Sequence, residues 1–224
     1  MTEQCLVCSK EVRVFLDKVR TTSVSHSARL IFALDATASR EPMWDMACSL
    51  QAEMFREVAA IGGLSVQLVY YRGVNECRAS RWTSEPQALA AMMERIYCRG
   101  GKTQITKVLA HAKRETGAQK VAALVFVGDA MEENPDDLCV AAAELGRLDV
   151  PAFMFHEGDD ERVEQAFRDI ASLSKGAYAH FDEGAARQLG ELLKAVAVFA
   201  IGGMAALEGR KDAVAARLLE QMRR

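Results

Sequence analysis

Polar side chains that suit a divalent cation follow an apolar stretch early in the chain. The apolar run 30–34 ends at Asp35, and hydroxyl side chains follow at alternate positions, Thr37 and Ser39. Such a run, bounded by polar residues, is typical of a strand that a parallel sheet buries on both faces. A carboxylate and two hydroxyls at its carboxyl end are hard oxygen donors, which favour Mg²⁺ or Mn²⁺ over zinc. The alternative is that Asp35 only caps a helix or starts a turn.

Two further polar loops occur later in the chain. Thr103 follows a glycine pair and Lys102, and Asp129 comes just after the apolar run 121–127. In an open α/β sheet, ligands bind beyond the carboxyl ends of the strands, where the strand order reverses. If a hairpin occupies one edge, the strands that end near Asp35 and Asp129 become neighbours at that reversal. We therefore expect the two carboxylates to lie close together.

The spacing of apolar residues predicts strands that alternate with helices. The predicted strands are 29–35, 64–71, 76–82, 121–127, 151–155 and 177–181, and the predicted helices are 3–20, 42–60, 86–97, 105–115, 136–148, 160–174 and 184–207. The connection 73–75 is too short for a crossover, so the second and third strands form an antiparallel hairpin at a sheet edge. These elements predict an α/β fold: a doubly wound, mostly parallel, Rossmann-like six-stranded sheet with one antiparallel edge strand and helices on both faces.

Composition bounds the domain organisation and the class of partner. The 224 residues predict one α/β domain at 28–208, preceded by a helix and polar connector at 1–27 and followed by a charged helical tail at 209–224. A net charge of -3 gives no field that would attract nucleic acid or an anionic membrane. The uncharged run 195–207 is too short to span a bilayer, so we expect residues 189–207 to form a core helix.

The cysteines indicate a reducing compartment. The six cysteines are scattered, and only Cys5 and Cys8 have the spacing of a metal or redox pair, without the second pair that a zinc ribbon requires. No secretory signal begins the sequence. Free thiols and a cytoplasmic location are the expectation.

The order of the three polar loops resembles the von Willebrand factor A (vWA) domain family. Asp-x-Thr-x-Ser at 35–39, Gly-Gly-Lys-Thr at 100–103 and Gly-Asp at 128–129 follow the order of its metal-ion-dependent adhesion site, or MIDAS. The resemblance implies that Asp35 and Asp129 hold an Mg²⁺ or Mn²⁺ ion mostly through water. It implies that Thr37, Ser39 and Thr103 bind the ion through their hydroxyls, which leaves one position for water or a partner's carboxylate.

The resemblance spans about residues 29–207 and includes departures from the family pattern. Thr37 replaces the usual first serine, keeping the hydroxyl and adding a methyl group, and Arg40 introduces a positive charge beside the loop. Thr103 fits the family loop better than Thr106, which falls within the following helix.

The function that the resemblance implies is an interaction module without enzymatic activity. A protein partner's Asp or Glu would replace a metal-bound water, and Arg40, Lys102, Glu132 and Glu133 would add specificity.

Other chemistries are open. Asp35 could serve a metal-dependent phosphohydrolase, but Thr37 stands where a second acid is needed and no general acid is evident. The site could also be a degenerate, metal-free scaffold. A phosphate-binding loop ending at Lys102-Thr103 would need a glycine where Ile96 stands.

Two further groups of polar residues each allow two interpretations. The acidic cluster, which comprises Asp129, Glu132, Glu133, Asp136 and Asp137, is either a second cation site or a loop that favours the start of the next helix. His156-Glu157 and Asp159-Asp160 follow the fifth predicted strand, and we interpret them as a polar loop, with contact to a partner as the alternative. His26, His111 and His180 are isolated.

Overall fold

The loops predicted to bind a ligand lie on a six-stranded sheet. The structure is a computed structural model that describes residues 27–40, 63–181 and 186–223. The strands are β1 (Ala28–Asp35), β2 (Leu64–Arg72), β3 (Glu76–Ala79), β4 (Ala123–Gly128), β5 (Ala152–Glu157) and β6 (Ala177–Phe181). Their order in the sheet is β3-β2-β1-β4-β5-β6. The described helices are α1 (Pro86–Met93), α2 (Ile105–Ala118), α3 (Pro135–Arg147), α4 (Glu161–Leu173), α5 (Ala186–Gly209) and α6 (Ala213–Met222). The predicted fold class is confirmed.

The central strand β1 is buried on both of its faces. Leu30, Phe32 and Leu34 belong to the core on one side of the sheet, and Ile31 and Ala33 belong to the core on the other side. Successive side chains of a strand point to opposite faces, so an uninterrupted apolar run is what a strand between two helical layers requires.

Helices cover the two faces of the sheet in separate groups. Buried side chains of α1, α5 and α6 form the core on one face, and those of α2, α3 and α4 form the core on the other. In α4, for example, Val163, Phe167 and Ile170 are buried at helical spacing.

The strand order reverses at β1, as the sequence predicts. β1 pairs in parallel with β2 on one side and with β4 on the other. β3 pairs antiparallel with β2 at the edge. The carboxyl ends of β1 and β4 therefore meet, which brings the loops after Asp35 and Gly128 together.

β3 and α1 end several residues before the ends that the sequence predicts. β3 ends at Ala79, after which a single antiparallel bridge joins Val66 and Thr83. α1 ends at Met93, although Ile96 is also buried and donates its N–H to the Met93 carbonyl over 2.9 Å. The apolar pattern continues beyond the end of the helix because the turn that follows the helix is also buried.

The prediction of a polar loop at residues 156–157 was wrong. His156 and Glu157 continue β5, and both are buried, His156 with 0% of its surface exposed. The Tyr178 hydroxyl on β6 lies 3.2 Å from His156 Nδ1. Sequence pattern alone gives no sign of a polar side chain whose partner lies on a neighbouring strand.

The long apolar helix α5 packs on the sheet. Leu189, Leu193 and Val196 are buried against the first core. The helix continues beyond the uncharged run used for the prediction, and in the part of the chain that the structure describes residues 187–209 form one helix long and apolar enough, by length and composition only, to cross a membrane. Gly203, at a φ of 65° that favours glycine, interrupts its helical geometry.

The tail helix α6 packs against the edge strand β6. Its Leu218 and Leu219 are buried in the first core. The Gln221 side chain accepts the Tyr178 N–H over 2.8 Å and donates to the Tyr178 carbonyl over 2.9 Å. This amide takes the hydrogen bonds that a further strand would make, so it protects the sheet edge.

The helices predicted at 3–20 and 42–60, and most of the connector at 21–27, lie outside the described residues.

Candidate metal and partner-binding site

The first loop begins with a carboxylate that is buried and held by two donors. Asp35, the last residue of β1, has 0% of its surface exposed. Its Oδ1 accepts the Thr37 N–H over 2.8 Å, and its Oδ2 accepts the Tyr71 hydroxyl over 2.8 Å. Burial raises the pKa of Asp35; the hydrogen bonds from Thr37 and Tyr71 oppose that rise, and the charge of Asp129 adds to it.

Tyr71 is a residue of this site that the sequence interpretation missed. It pairs in register with Asp35, so the two side chains emerge on the same face of adjacent strands. Burial, followed by the charge of Asp35, raises the pKa of Tyr71 well above its ordinary value, which keeps the phenol protonated as a donor. The strand register was the signal that would have identified it.

The two hydroxyls of the first loop lie next to each other. The chain turns through a short 3₁₀ helix, Ala38–Arg40, which brings Ser39 back beside Thr37. Their Oγ atoms are 3.1 Å apart. Thr37 is buried and Ser39 is exposed, so this pair of oxygens stands at the border between the sheet and solvent. The side chain of Arg40 lies outside the described part of the structure.

The second loop is held against the first loop and the β2–β3 hairpin by backbone hydrogen bonds. Arg99 donates its N–H to the Ala36 carbonyl over 3.0 Å, and Lys102 donates to the Gly73 carbonyl over 3.1 Å. A Cβ at Gly101 would lie 2.0 Å from the Gly73 oxygen, so only glycine allows this approach. The side chain of Lys102 is exposed.

Thr103 and Glu132 join the second loop to the third. The Thr103 N–H donates to Glu132 Oε2 over 3.1 Å, and the Glu132 N–H donates to Thr103 Oγ1 over 3.0 Å. Thr103 is buried, with 6% of its surface exposed. This reciprocal pair of hydrogen bonds fixes the position of the Thr103 hydroxyl at the end of the sheet.

Glu133 serves the start of α2. Its carboxylate accepts the N–H groups of Ile105 and Thr106, the latter over 2.9 Å. The helix has no side-chain cap of its own, since the Gln104 side chain makes none. Glu133 therefore satisfies donors that a helix N-terminus leaves unpaired and places negative charge where the helix dipole favours it.

The acidic cluster of the third loop divides by role. Asp136 and Asp137 occupy the first turn of α3, the position predicted for them, where the Asn134 side chain accepts the Asp136 N–H. Glu132 and Glu133 instead bond to the second loop and to α2. The cluster thus supports two different helix starts.

Asp129 has a carboxylate oxygen that takes no part in this hydrogen-bond network. Its Oδ1 is buried and has no hydrogen-bond partner among the described residues. A Cβ at the preceding Gly128 would lie 3.5 Å from the Asp35 Cβ, so the two strand ends are in close contact. A buried carboxylate oxygen without a partner is costly, and a cation beside it removes that cost.

The five sequence-predicted oxygen donors lie on three loops that contact one another. The donor set consists of two carboxylates and three hydroxyls: Asp35, Thr37, Ser39, Thr103 and Asp129. At this site, the described residues include no three His, Cys, Asp or Glu side chains that are placed, as they stand, to hold a metal ion. Any ion here must accordingly take hydroxyl and water oxygens as well as carboxylates, which is a set that Mg²⁺ accepts.

Comparison with known proteins identifies the fold. No family model matches the sequence, and no curated protein matches it. Among solved structures, the VWA domain of SpRpn10 superposes with a TM-score of 0.59 at 14% identity, over 75% of this chain and 94% of that one. The vWF domain of a type V pili tip protein from Porphyromonas gingivalis gives 0.59 at 9% identity, over 78% and 95%.

A third match is to a protein solved with a bound metal ion. Proximal thread matrix protein 1 from the mussel byssus, solved with a zinc-occupied MIDAS motif, gives a TM-score of 0.60 at 14% identity, over 79% of this chain and 46% of that one. At these identities the likeness establishes a vWA-like α/β fold and leaves the site to be argued from this chain's own residues.

Proposed function

We propose that this chain is a vWA-like protein-interaction module that binds Mg²⁺ or Mn²⁺ at the ends of β1 and β4. The residues that would hold the ion are Asp35, Thr37, Ser39, Thr103 and Asp129. The ion would dock a carboxylate from an Asp or Glu of a protein partner.

The observation that carries this proposal is the buried, unpartnered Oδ1 of Asp129 beside the buried Asp35. Two carboxylates that are close together out of water repel each other, and the charge of Asp129 contributes to the raised pKa of Asp35. A divalent cation between the loops would remove this repulsion and supply the partner that Oδ1 lacks among the described residues.

The chemistry of the donors supports a hard cation. Mg²⁺ prefers six oxygens and gives up its waters reluctantly, so a set rich in hydroxyls and water-mediated carboxylates suits it. The 3.1 Å spacing of the Thr37 and Ser39 oxygens is compatible with two ligands of one ion. With few anionic ligands bound directly, the ion keeps positive charge that would attract a further carboxylate.

The rim of the site offers both signs of charge to a partner. Lys102 is exposed on the second loop, and Glu132 is exposed on the third. Glu132 and Glu133 already accept backbone N–H groups, so any contact that they make with a partner comes in addition to these bonds. Arg40 follows the hydroxyl pair, and we assign it to the same rim from its place in the chain.

The hydrolase alternative finds no support in the geometry of Asp35. A carboxylate nucleophile must reach its substrate, whereas Asp35 has 0% of its surface exposed and both of its oxygens accept hydrogen bonds. The metal-free scaffold is the alternative that the experiment must exclude, because the Thr37–Ser39 and Thr103–Glu132 pairs already satisfy part of the site.

We also propose a reducing, cytoplasmic setting for this module. Cys77 and Cys139 form no disulfide in the described structure. Thiols of this kind persist in a reducing compartment.

The ion site is tested by titrating Mn²⁺ into the protein and measuring the free ion by electron paramagnetic resonance. We expect saturable binding of one ion in the wild type and its loss in Asp129→Asn, which removes the charge and keeps the shape. Asp137→Asn is the matched control, since it removes the same charge from an exposed position on α3. Equal binding by wild type and Asp129→Asn, or no binding by the wild type, would favour the scaffold.

The docking step is tested on the same Mn²⁺ complex by water-proton relaxation. Acetate should lower the relaxation enhancement, because a carboxylate that binds the ion displaces a water from it. Sodium chloride at equal ionic strength is the control. An enhancement that acetate leaves unchanged would contradict an open position for a partner's carboxylate.

A further inference from the structure

His156 and His180 lie side by side at the carboxyl ends of β5 and β6. They are register partners in this parallel pair, so their side chains emerge on the same face of the sheet. Their ring centroids are 5.9 Å apart. Strand β4 separates them from β1, so the pair is distinct from the hydroxyl loop that follows Asp35.

Each ring has a buried nitrogen without a hydrogen-bond partner. His156 Nδ1 contacts the Tyr178 hydroxyl at 3.2 Å, but its Nε2 is buried and finds no partner in the described residues. His180 Nε2 is likewise buried without a hydrogen bond there. A buried polar atom left unpaired costs about 1–3 kcal/mol, so two of them on rings whose centroids are 5.9 Å apart point to a ligand that takes both lone pairs.

A carboxylate stands at the distance that a shared ligand requires. Asp159 Oδ1 lies 3.3 Å from His180 Nε2, a contact that is an ion pair when the ring is protonated and leaves both atoms available to a metal when it is neutral. Two atoms that coordinate one zinc ion tetrahedrally at about 2.0–2.2 Å are about 3.4 Å from each other. The neighbouring Asp160 is not available for this role, because it caps α4 and bonds to Arg162.

We propose that His156, His180 and Asp159 form a second cation site, selective for a transition metal such as Zn²⁺, Co²⁺ or Ni²⁺. Neutral imidazole nitrogens bind these ions well and Mg²⁺ poorly, so the two sites take different metals. In the described ranges, the three side chains are not yet gathered around one position that an ion could occupy. The ion therefore draws in Asp159, whose side chain is 95% exposed, and enters past His180, whose side chain is 34% exposed.

The surroundings of His156 favour a ligand role. Burial lowers the pKa of His156 and the proximity of His180 lowers it further, against the opposing charges of Glu164, Asp160 and Asp129. A lowered pKa favours the neutral ring, which is the form that binds a metal. With Nε2 on the ion, the Nδ1 proton would point to the Tyr178 oxygen, which is the usual support of a metal-bound histidine. The edge of the ring also packs on Phe167, at 5.5 Å between centroids.

The test is a Co²⁺ titration monitored by visible absorption, in millimolar Mg²⁺, on a Cys5→Ser/Cys8→Ser background that removes the competing thiol pair. We expect visible d–d bands that saturate at one ion and that Zn²⁺ abolishes. His180→Gln and Asp159→Asn should each weaken binding about tenfold or more. Tyr178→Phe should weaken it by about 10–100-fold through the orientation of His156.

Controls separate this site from the β1–β4 site and from unfolding. His26→Gln and Asp169→Asn should leave the Co²⁺ bands unchanged, and circular dichroism should confirm that His180→Gln is folded. Ser39→Ala, which removes a proposed ligand of the β1–β4 site, should also leave them unchanged, so this proposal can fail while the Mg²⁺ site stands. Absence of saturable bands, equal affinity in wild type and folded His180→Gln, or loss of the bands in Ser39→Ala would overturn it.

Discussion

The carboxylates of Asp35 and Asp129 end adjacent strands and yet have opposite surroundings. Asp35 is fully buried and accepts the Tyr71 hydroxyl and the Thr37 N–H, so both of its oxygens are bonded. Asp129 is half-buried, and its Oδ1 has no hydrogen-bond partner among the described residues.

This difference separates the structural task of the site from its chemical task. Removing an acceptor that satisfies two buried donors damages the fold, because those donors lose their partners. Removing an oxygen that accepts no hydrogen bond should change the stability of the ion-free protein little. If an ion binds there, the same removal should abolish or weaken its binding. Asp35 should therefore govern stability, and Asp129 should govern the response to metal.

The largest effect should come from Asp35→Ala in protein free of divalent ions. We expect the free energy of unfolding to fall by about 3 kcal/mol, because the Tyr71 hydroxyl and the Thr37 N–H are left without their acceptor. Urea denaturation measures it. Tyr71→Phe, which removes one donor and leaves the carboxylate, should cost about 1 kcal/mol and is the control. A fully stable Asp35→Ala would mean that other acceptors replace the carboxylate.

The next effect is the stabilisation by Mg²⁺ and its dependence on Asp129. At an ion concentration about 30 times the Kd, mass action should raise the free energy of unfolding of the wild type by about 2 kcal/mol. Asp129→Asn should match the wild type without ion and lose this increment, whereas Asp137→Asn should keep it. Thermal or urea unfolding with and without Mg²⁺ measures both. An Asp129→Asn variant that is strongly destabilised without ion would erase the contrast with Asp35.

The pH dependence of the metal-free protein should carry the signature of Asp35. Its folded pKa is raised by burial, so the native state binds this proton more tightly than the unfolded chain does. Its contribution to stability is complete below the unfolded pKa of about 3.9 and is lost as pH rises through the folded value.

This signature is measured as the difference in unfolding free energy between wild type and Asp35→Asn across that pH window. The difference should move against the wild type as pH rises, by at most about 1.4 kcal/mol per pH unit, and then level off. A difference that does not change with pH would show that Asp35 has the same pKa in both states.

The smallest effect should come from Glu133→Ala, which leaves both strand-end carboxylates in place. The N–H groups of Ile105 and Thr106 would lose their acceptor at the start of α2, at a cost of about 1 kcal/mol. Urea denaturation measures the cost, with exposed Asp137→Ala as the control. If Glu133→Ala abolished Mn²⁺ binding at unchanged stability, the third loop would hold the ion through Glu133 as well as Asp129.

Individual residues show how far prediction from sequence reached. Leu30 to Leu34 predicted β1 correctly because burial on both faces leaves an unbroken apolar run. The neighbouring positions of β1 and β4 followed from topology rules. Glu133 was assigned to partner contact or to the following helix, whereas its carboxylate bonds to the helix before it in the chain. His156 was predicted in a loop, and it is a buried residue of β5.

The sequence by itself determined the strand and helix order, the class of fold and the three polar loops, because these depend on local periodicity and on connection lengths. Only the tertiary structure decided which polar atoms find partners: that Tyr71 bonds Asp35, that Oδ1 of Asp129 is left over, and that His156 lies beside His180. Such pairings join residues far apart in the chain through strand register. Periodicity in the sequence indicates on which face of the sheet a side chain lies. It does not indicate which side chain of a neighbouring strand contacts it.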